Sequence, residues 1–188
     1  MGQVHERITE RLREVIAAQQ LYFVGTAPAD VDGHVNLSPK GHRDTFTIID
    51  DVTVAYVDLT GSGAESLAHI RENGRVVVMF CAFEGPPDIV RLHGRGRVVF
   101  PGDAGWDALI ARFPARPGAR AVVVVDVTRV SSSCGFAVPL YEYVGQRDLL
   151  EQWTSRKTEE ELADYRATRN AESIDGLPAV PAPSSTKT

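Results

Sequence analysis

Three short stretches of this sequence gather residue types that bind or react. DLTGSGAES, at 58–66, places Asp58, Thr60, Gly61, Ser62, Gly63 and Ser66 where a β-branched run hands over to a helical one. Glycines let the backbone approach a ligand, and free amides at a helix start attract an anion such as phosphate. The same residues also suit a plain turn with a Ser or Thr cap. The lysine of G-x-x-x-x-G-K-[ST] is missing, which argues against nucleoside-triphosphate hydrolysis. NLSPKGHR, at 36–43, sets Ser38, Pro39, Lys40, Gly41, His42 and Arg43 between two extended runs. Lys40 and Arg43 can hold a phosphate and His42 can face a ring, or the stretch is a solvated loop. SSSCGFAVP, at 131–139, supplies hydroxyl and amide donors directly after a strand.

Two further groups carry less chemistry. Cys134 has no Cys/His/Asn pattern around it and is expected to be a small buried packing residue rather than a nucleophile. His5, His34, His42, His69 and His93 form no H-x-x-x-H and pair with no C-x-x-C, so no metal site is expected. His42, Lys40 and Tyr56 are catalytic candidates by position only, and no residue stands out as a general acid or base.

These stretches need elements to position them. Ile8, Leu12, Val15 and Ile16 share one helical face, so 1–20 reads as an N-terminal docking helix. Extended runs follow at 21–26, 35–38, 45–49 and 52–57, the last two joined at Asp50-Asp51 as a hairpin. A short helix bearing Leu67 and Ile70 closes at Asn73-Gly74. Long strands are expected at 75–83, 89–100 and 120–130, with Gly94 and Gly96 marking a bulge or a close approach. Trp106, Leu109, Ile110 and Phe113 form a helical stripe with Trp106 in the core. Thr158 and Glu161 have capping-box spacing for a polar helix reaching about Ala167. From Pro178 onward the composition reads as a disordered tail. Strands outnumber helices without alternating strictly with them, which favours an antiparallel barrel over a doubly wound parallel sheet.

The chain has 188 residues, 43% hydrophobic and 24% charged, which suits a single globular domain. Its net charge of -5 argues against a nucleic-acid binder. No apolar run reaches the roughly 18 residues of a membrane helix. Two cysteines, Cys81 and Cys134, make no disulfide framework, and a reducing, cytoplasmic setting is expected.

Four blocks, in this order, resemble the pyridoxamine 5'-phosphate oxidase-like family of FMN-binding split barrels. They are VGTAPADVDGHVNLSPKG, VAYVDLTGSGAESLAHIRENGRVVVMFCAFEGP, IVRLHGRGRVVF and AVVVVDVTRVSSSCGFAVP, covering about 21–139. YRATRNAESIDGLP is similar to a tail found in one branch of that family. The resemblance implies a mainly β (α+β) fold: a six-stranded antiparallel split β-barrel over 21–145 with short flanking helices. A C-terminal helix and tail over 146–177 and a disordered 178–188 complete the expected organisation. It implies a homodimer holding two cofactors at the subunit interface, with Ser38, Pro39, Lys40, Gly41 and His42 along the isoalloxazine edge. Asp58, Thr60, Gly61, Ser62, Gly63 and Ser66 would cradle the ribityl phosphate. Residues near 75–81, Cys81 included, and 131–136 would complete the site, in part from the partner subunit.

Two departures from the family pattern shape the expected function. The family's phosphate-binding lysine falls here at Glu65 or Ser66, so Lys40 is expected to replace it. The Arg and His pair that pyridoxamine-phosphate oxidases use on their substrate is absent, which argues against that reaction. The sequence therefore implies an FMN-dependent oxidoreductase of unassigned substrate. One alternative is a deazaflavin-dependent reductase, with Arg91, Arg95 and Arg97 lining a basic groove or standing on the solvated barrel exterior. Another is a non-catalytic flavin- or haem-binding protein.

Overall fold

A computed structural model describes residues 2–181 of the chain. Its sheet is wholly antiparallel and curls into a half-barrel. Along the sheet the order is β3 (Asn36–Lys40), β2 (Tyr22–Thr26), β6 (Arg75–Cys81), β7 (Ile89–Val99), β8 (Ala119–Ser133), β5 (Thr53–Leu59) and β4 (Phe46–Ile48). A short β1 (Gln3–His5) pairs with the far end of β8. The split barrel expected from sequence is present, with eight strands among the described residues rather than six. Seven of the eight correspond to the extended runs read from the sequence, and the added one, β1, lies at the N-terminus. The expected helix over 1–20 divides into β1 and the shorter α1 (Glu10–Ala18), which Thr9 caps by accepting from Leu12 N. Ile8, Leu12 and Ile16 are buried against the core as the spacing predicts.

The apolar runs become strands buried on one face or on two. On β8, Ala121, Val123 and Val125 enter the main core with Tyr22, Tyr56, Leu67 and Phe80. Val122 and Val124 point the other way and join Ala55, Val57 and Phe113. That outer layer is covered by α3 (Trp106–Ile110), where Trp106 is partly rather than fully buried. A strand sandwiched on both faces has no room for an alternating polar residue, hence its continuous valines.

Glycines appear where backbones must touch. The register of β7 on β8 shifts between His93 and Gly94, and a Cβ on Gly94 would lie 2.3 Å from the Asp126 carbonyl oxygen. Gly96 N donates to the Gly74 carbonyl at 2.7 Å. Gly74 itself closes α2 (Glu65–Asn73) with φ of 71°, a left-handed conformation that glycine adopts at no steric cost. The bulge and the close approach expected at Gly94 and Gly96 are both seen.

The C-terminal region is more ordered than its composition suggests. Two helices, α4 (Leu149–Ser155) and α5 (Glu159–Arg169), follow an irregular 134–148. The Thr158–Glu161 capping box is formed on both sides, and the helix runs to Arg169. The expected disorder from Pro178 does not hold at its start: Pro178 pairs with Glu172, and Ala179 is fully buried beside Ala64 and Ala68 of α2. Residues 182–188 of that expected tail lie outside the described residues.

Candidate functional site

The two polar stretches flanking β3 and β5 meet at one cavity of about 330 Å³. Its walls include Ser38, Pro39 and Lys40 from β3, Asp58 from β5, Gly61, Ser62 and Gly63 from the connecting loop, and Ser66 of α2. Leu59, Ala64, Glu65 and Arg120 line it as well. Topology explains the meeting: β3 and β5 lie near opposite ends of an open, curled sheet, so curling brings their polar ends together.

Asp58 organises this site. It is fully buried, and its carboxylate takes Lys40 Nζ on Oδ2 and Arg120 Nε on Oδ1, each at 2.6 Å. Burial alone would raise the Asp58 pKa, but the Lys40 and Arg120 charges outweigh it and hold the carboxyl below the usual range. Arg120 is itself 4% exposed. It reaches this position through a bulge: Asp58 pairs with Ala121 and Leu59 with Ala119, leaving Arg120 as the extra residue of β8. A bulge re-aims one side chain out of the strand's alternation, and here it aims a guanidinium beneath the glycine loop. Two carboxylate-bound cations leave the group with one net positive charge. Only Lys40 presents an appreciable part of its side chain to solvent, 20% against 3% for Arg120 and 1% for Asp58.

The loop is held from behind. Arg120 Nη2 donates to the Gly63 carbonyl and Nη1 to Asn170 Oδ1, both at 2.7 Å. Asn170 Nδ2 donates to the Gly61 carbonyl at 3.0 Å. Arg166 Nε donates to Thr60 Oγ1 at 2.9 Å, and that hydroxyl donates to the Gly118 carbonyl. Thr60 is thus a buried anchor of the loop rather than part of the cavity wall. Across the cavity, Asn36 Nδ2 donates to Ser66 Oγ at 2.9 Å and ties β3 to α2.

Other expected residues lie apart. Gly41 is exposed and does not line the cavity. His42 takes a left-handed φ of 57° at the start of the turn Arg43–Thr45, its amide donating to Gln146 Oε1. Burial lowers its pKa, and Arg116 adds to the effect. Cys81 is buried at the end of β6 opposite Ile89, where burial pushes its thiol up. Tyr56 is sealed in the core with no partner for its hydroxyl among the described residues. Arg91 donates to Ser133, Arg95 to the Asn73 carbonyl, and Arg97 is exposed; none lines the cavity.

The 131–139 stretch also differs from expectation. Residues 131–133 continue β8, and Cys134 is exposed rather than buried. It lines a second cavity of about 460 Å³ with Gln3, His5, Thr9, Arg11, Pro87, Asp88, Ser132 and Ser133. His5 Nε2 and Ser132 Oγ lie 2.9 Å apart there.

Sequence reasoning missed Arg120, Arg166 and Asn170. One signal for Arg120 was present: a lone arginine in the apolar ARAVVVV run, matched by a lone aspartate in VAYVDL, implies two charges buried together. Nothing local pointed to Arg166 and Asn170, which lie more than a hundred residues beyond the loop they hold.

With this geometry established, comparison with known proteins places the chain. Residues 8–134 match the family described as pyridoxamine 5'-phosphate oxidase. The chain belongs to that family. A curated relative, the pyridoxamine 5'-phosphate oxidase family protein ustO of Aspergillus flavus, is 38% identical over 94% of this chain and 77% of its own. Among solved structures, HupZ of Group A Streptococcus shares the fold at 24% identity. One of its single-residue variants gives a TM-score of 0.53 over 67% of this chain and 99% of that one. A second HupZ structure gives 0.51 over 65% and 91%. No helix among the described residues is long and apolar enough to cross a membrane.

Proposed function

We propose that this protein is a homodimeric FMN-dependent oxidoreductase of unassigned substrate, with the cavity between β3 and the 58–66 loop taking the ribityl phosphate. The observation that carries this reading is the Lys40–Asp58–Arg120 group beneath a glycine loop. Two cations on one buried carboxylate leave a positive charge uncompensated in a partly desolvated place, and a phosphate at the cavity mouth would compensate it. The residues present fit that group. The amides of Gly61, Ser62 and Gly63 have no acceptor among the described residues, Ser38 and Ser66 add hydroxyls, and Lys40 supplies the accessible cation. Of the two carboxylates in the wall, Asp58 is paired with Lys40 and Arg120, and Glu65 has no paired cation among the described residues.

When bound, the flavin supplies hydride or electron transfer, and the protein supplies binding, orientation and electrostatics. Lys40 and the loop amides would hold the phosphate, and Ser38 and Pro39 would line the same cavity beside it. At about 330 Å³ the cavity sits at the low end for small-molecule sites, so it holds the phosphate end and leaves the ring to be covered from elsewhere. A second copy of the chain is the covering surface in this reading. The 134–149 stretch carries exposed Phe136, Leu140, Tyr141, Val144 and Leu149, an apolar patch of the kind that marks an interface. On β6, Val76, Val78, Phe80 and Cys81 are buried within the subunit and add nothing to that patch. The 131–134 wall of one copy would then face the ring held by the other.

The test is the absorbance spectrum of the purified protein with equilibrium dialysis against FMN at tens of micromolar. A flavin spectrum and saturable FMN binding are expected. Absence of FMN binding with tight binding of a deazaflavin coenzyme, or a haem spectrum, would replace this reading.

A further inference from the structure

The segment that holds the glycine loop from behind is the C-terminal tail, and its contacts do more than pack. Leu177, Ala179 and Val180 lie against Ala64 and Ala68. Arg71 donates to the Pro178 and Ala179 carbonyls, and Asp175 accepts from the His34 amide and ring. Those contacts suffice to dock a tail. Asn170 is different. Its side chain is fully buried, and both ends go to the loop machinery, Oδ1 to Arg120 and Nδ2 to the Gly61 carbonyl.

The consequence follows from peptide geometry. In a planar trans peptide the C=O and the next residue's N–H point in opposite directions, and no peptide of the described chain is cis. Drawing the Gly61 carbonyl onto Asn170 therefore turns the Ser62 amide away from the tail. Drawing the Gly63 carbonyl onto Arg120 turns the Ala64 amide away likewise. Neither amide finds an acceptor among the described residues, and Ser62 and Ala64 both line the cavity.

We infer that Asn170 and Arg166 are positioning residues: the C-terminal tail clips the 58–66 loop so that the Ser62 and Ala64 amides present to a phosphate monoester. The clip rests on the proposed function for the identity of the ligand, but the aimed amides are a property of the fold. Phosphate selectivity then depends in part on residues that never touch the phosphate. Arg166 acts by holding Thr60 at the start of the loop, and Asn170 by holding its middle.

The experiment uses the full chain in two arms. In the first, inorganic phosphate is titrated while the amide resonances of Ser62 and Ala64 are followed by NMR. Both should shift in the wild type and lose most of that response in Asn170→Ala. In the second, FMN and riboflavin affinities are compared. Asn170→Ala should weaken FMN about tenfold, the scale of one charged hydrogen bond, and change riboflavin by less than about threefold. Arg71→Ala loosens the tail without touching the loop; it should lower the melting temperature and leave the FMN-to-riboflavin ratio as in wild type. An unshifted wild-type Ser62 and Ala64, or a variant Asn170→Ala that responds to phosphate like wild type, overturns the clip. So does an equal loss of FMN and riboflavin. A protein whose amides respond to phosphate but which binds no flavin retains the clip and loses the flavin.

Discussion

Two of the cavities among the described residues, the one lined by Cys134 and the one beneath the 58–66 loop, differ in what stands behind their walls. The larger of the two, about 460 Å³, is lined in part by exposed side chains: Cys134 is exposed, and Arg11 is 63% exposed although its partner Asp88 is buried. The smaller, about 330 Å³, is backed by Asp58, Arg120, Thr60 and Asn170, all buried and each with its polar atoms engaged. An exposed ion pair contributes little and is readily rearranged, whereas a buried network is stable only when every member is satisfied. Volume alone would favour the first cavity. The fixed chemistry is in the second, which suits a ligand whose charge must be met at one place. The first suits a surface completed by another molecule.

Breaking the buried network should have the largest effect. Arg120→Ala leaves Asp58 with Lys40 alone and removes the hold on Gly63 and Asn170. A loss of about 3–5 kcal/mol of stability is expected, the scale for removing one partner of a buried ion pair, measurable by denaturant unfolding. A loss below about 1 kcal/mol would mean that the network behaves like a surface pair.

Acid should act on the same side of the molecule in two stages. Burial holds the His69 imidazole below its ordinary range, more strongly than Asp175, Glu72 and Glu65 raise it. The unfolded chain therefore takes up this proton first. The contribution is complete above about pH 6.5 and declines as pH falls from there toward the depressed folded value. Asp58 adds nothing to that stage. Its own lowered pKa keeps its contribution intact above about pH 4, and it is lost as pH falls through the folded value. Unfolding free energy measured from pH 8 to 3 should show a shallow early decline that His69→Asn reduces, then a steeper late one that it leaves in place. A wild type flat to pH 4 would remove His69 from the account.

The smallest effect belongs to the solvent-facing cavity. Cys134→Ser should change stability by no more than about 0.5 kcal/mol and leave the ratio of FMN to riboflavin affinity as in wild type. A selective loss of FMN in this variant would move the phosphate to the wrong cavity.

The sequence was most informative where the signal is local. The strand positions along the chain, the Asn73-Gly74 stop, the Gly94 bulge and the Thr158–Glu161 box each depend on neighbours within a few residues, and each is seen. The two stretches that meet at the candidate cavity were also named from the sequence, where each suited a turn or a solvated loop as well and only the family resemblance pointed to a shared site. Three things were not. Arg120 enters the site through a one-residue bulge, which no periodicity announces. Asn170 and Arg166 act across more than a hundred residues, and their own surroundings read as a polar helix and tail. The tail's order past Pro178 depends on Ala179 finding a small-residue pocket on α2, a matter of shape rather than composition.

In the proposed function Lys40, held by Asp58 at 2.6 Å and facing the cavity, meets the phosphate of the cofactor. Calorimetric titration of Lys40→Ala with FMN and with riboflavin tests it most directly. FMN binding should weaken by about 1.5–3 kcal/mol, the size of a hydrogen bond to a charged group, with riboflavin changed far less because it has no phosphate to lose. Equal weakening of both ligands would place Lys40 against the ring, and no change in either would leave it an ordinary partner of Asp58.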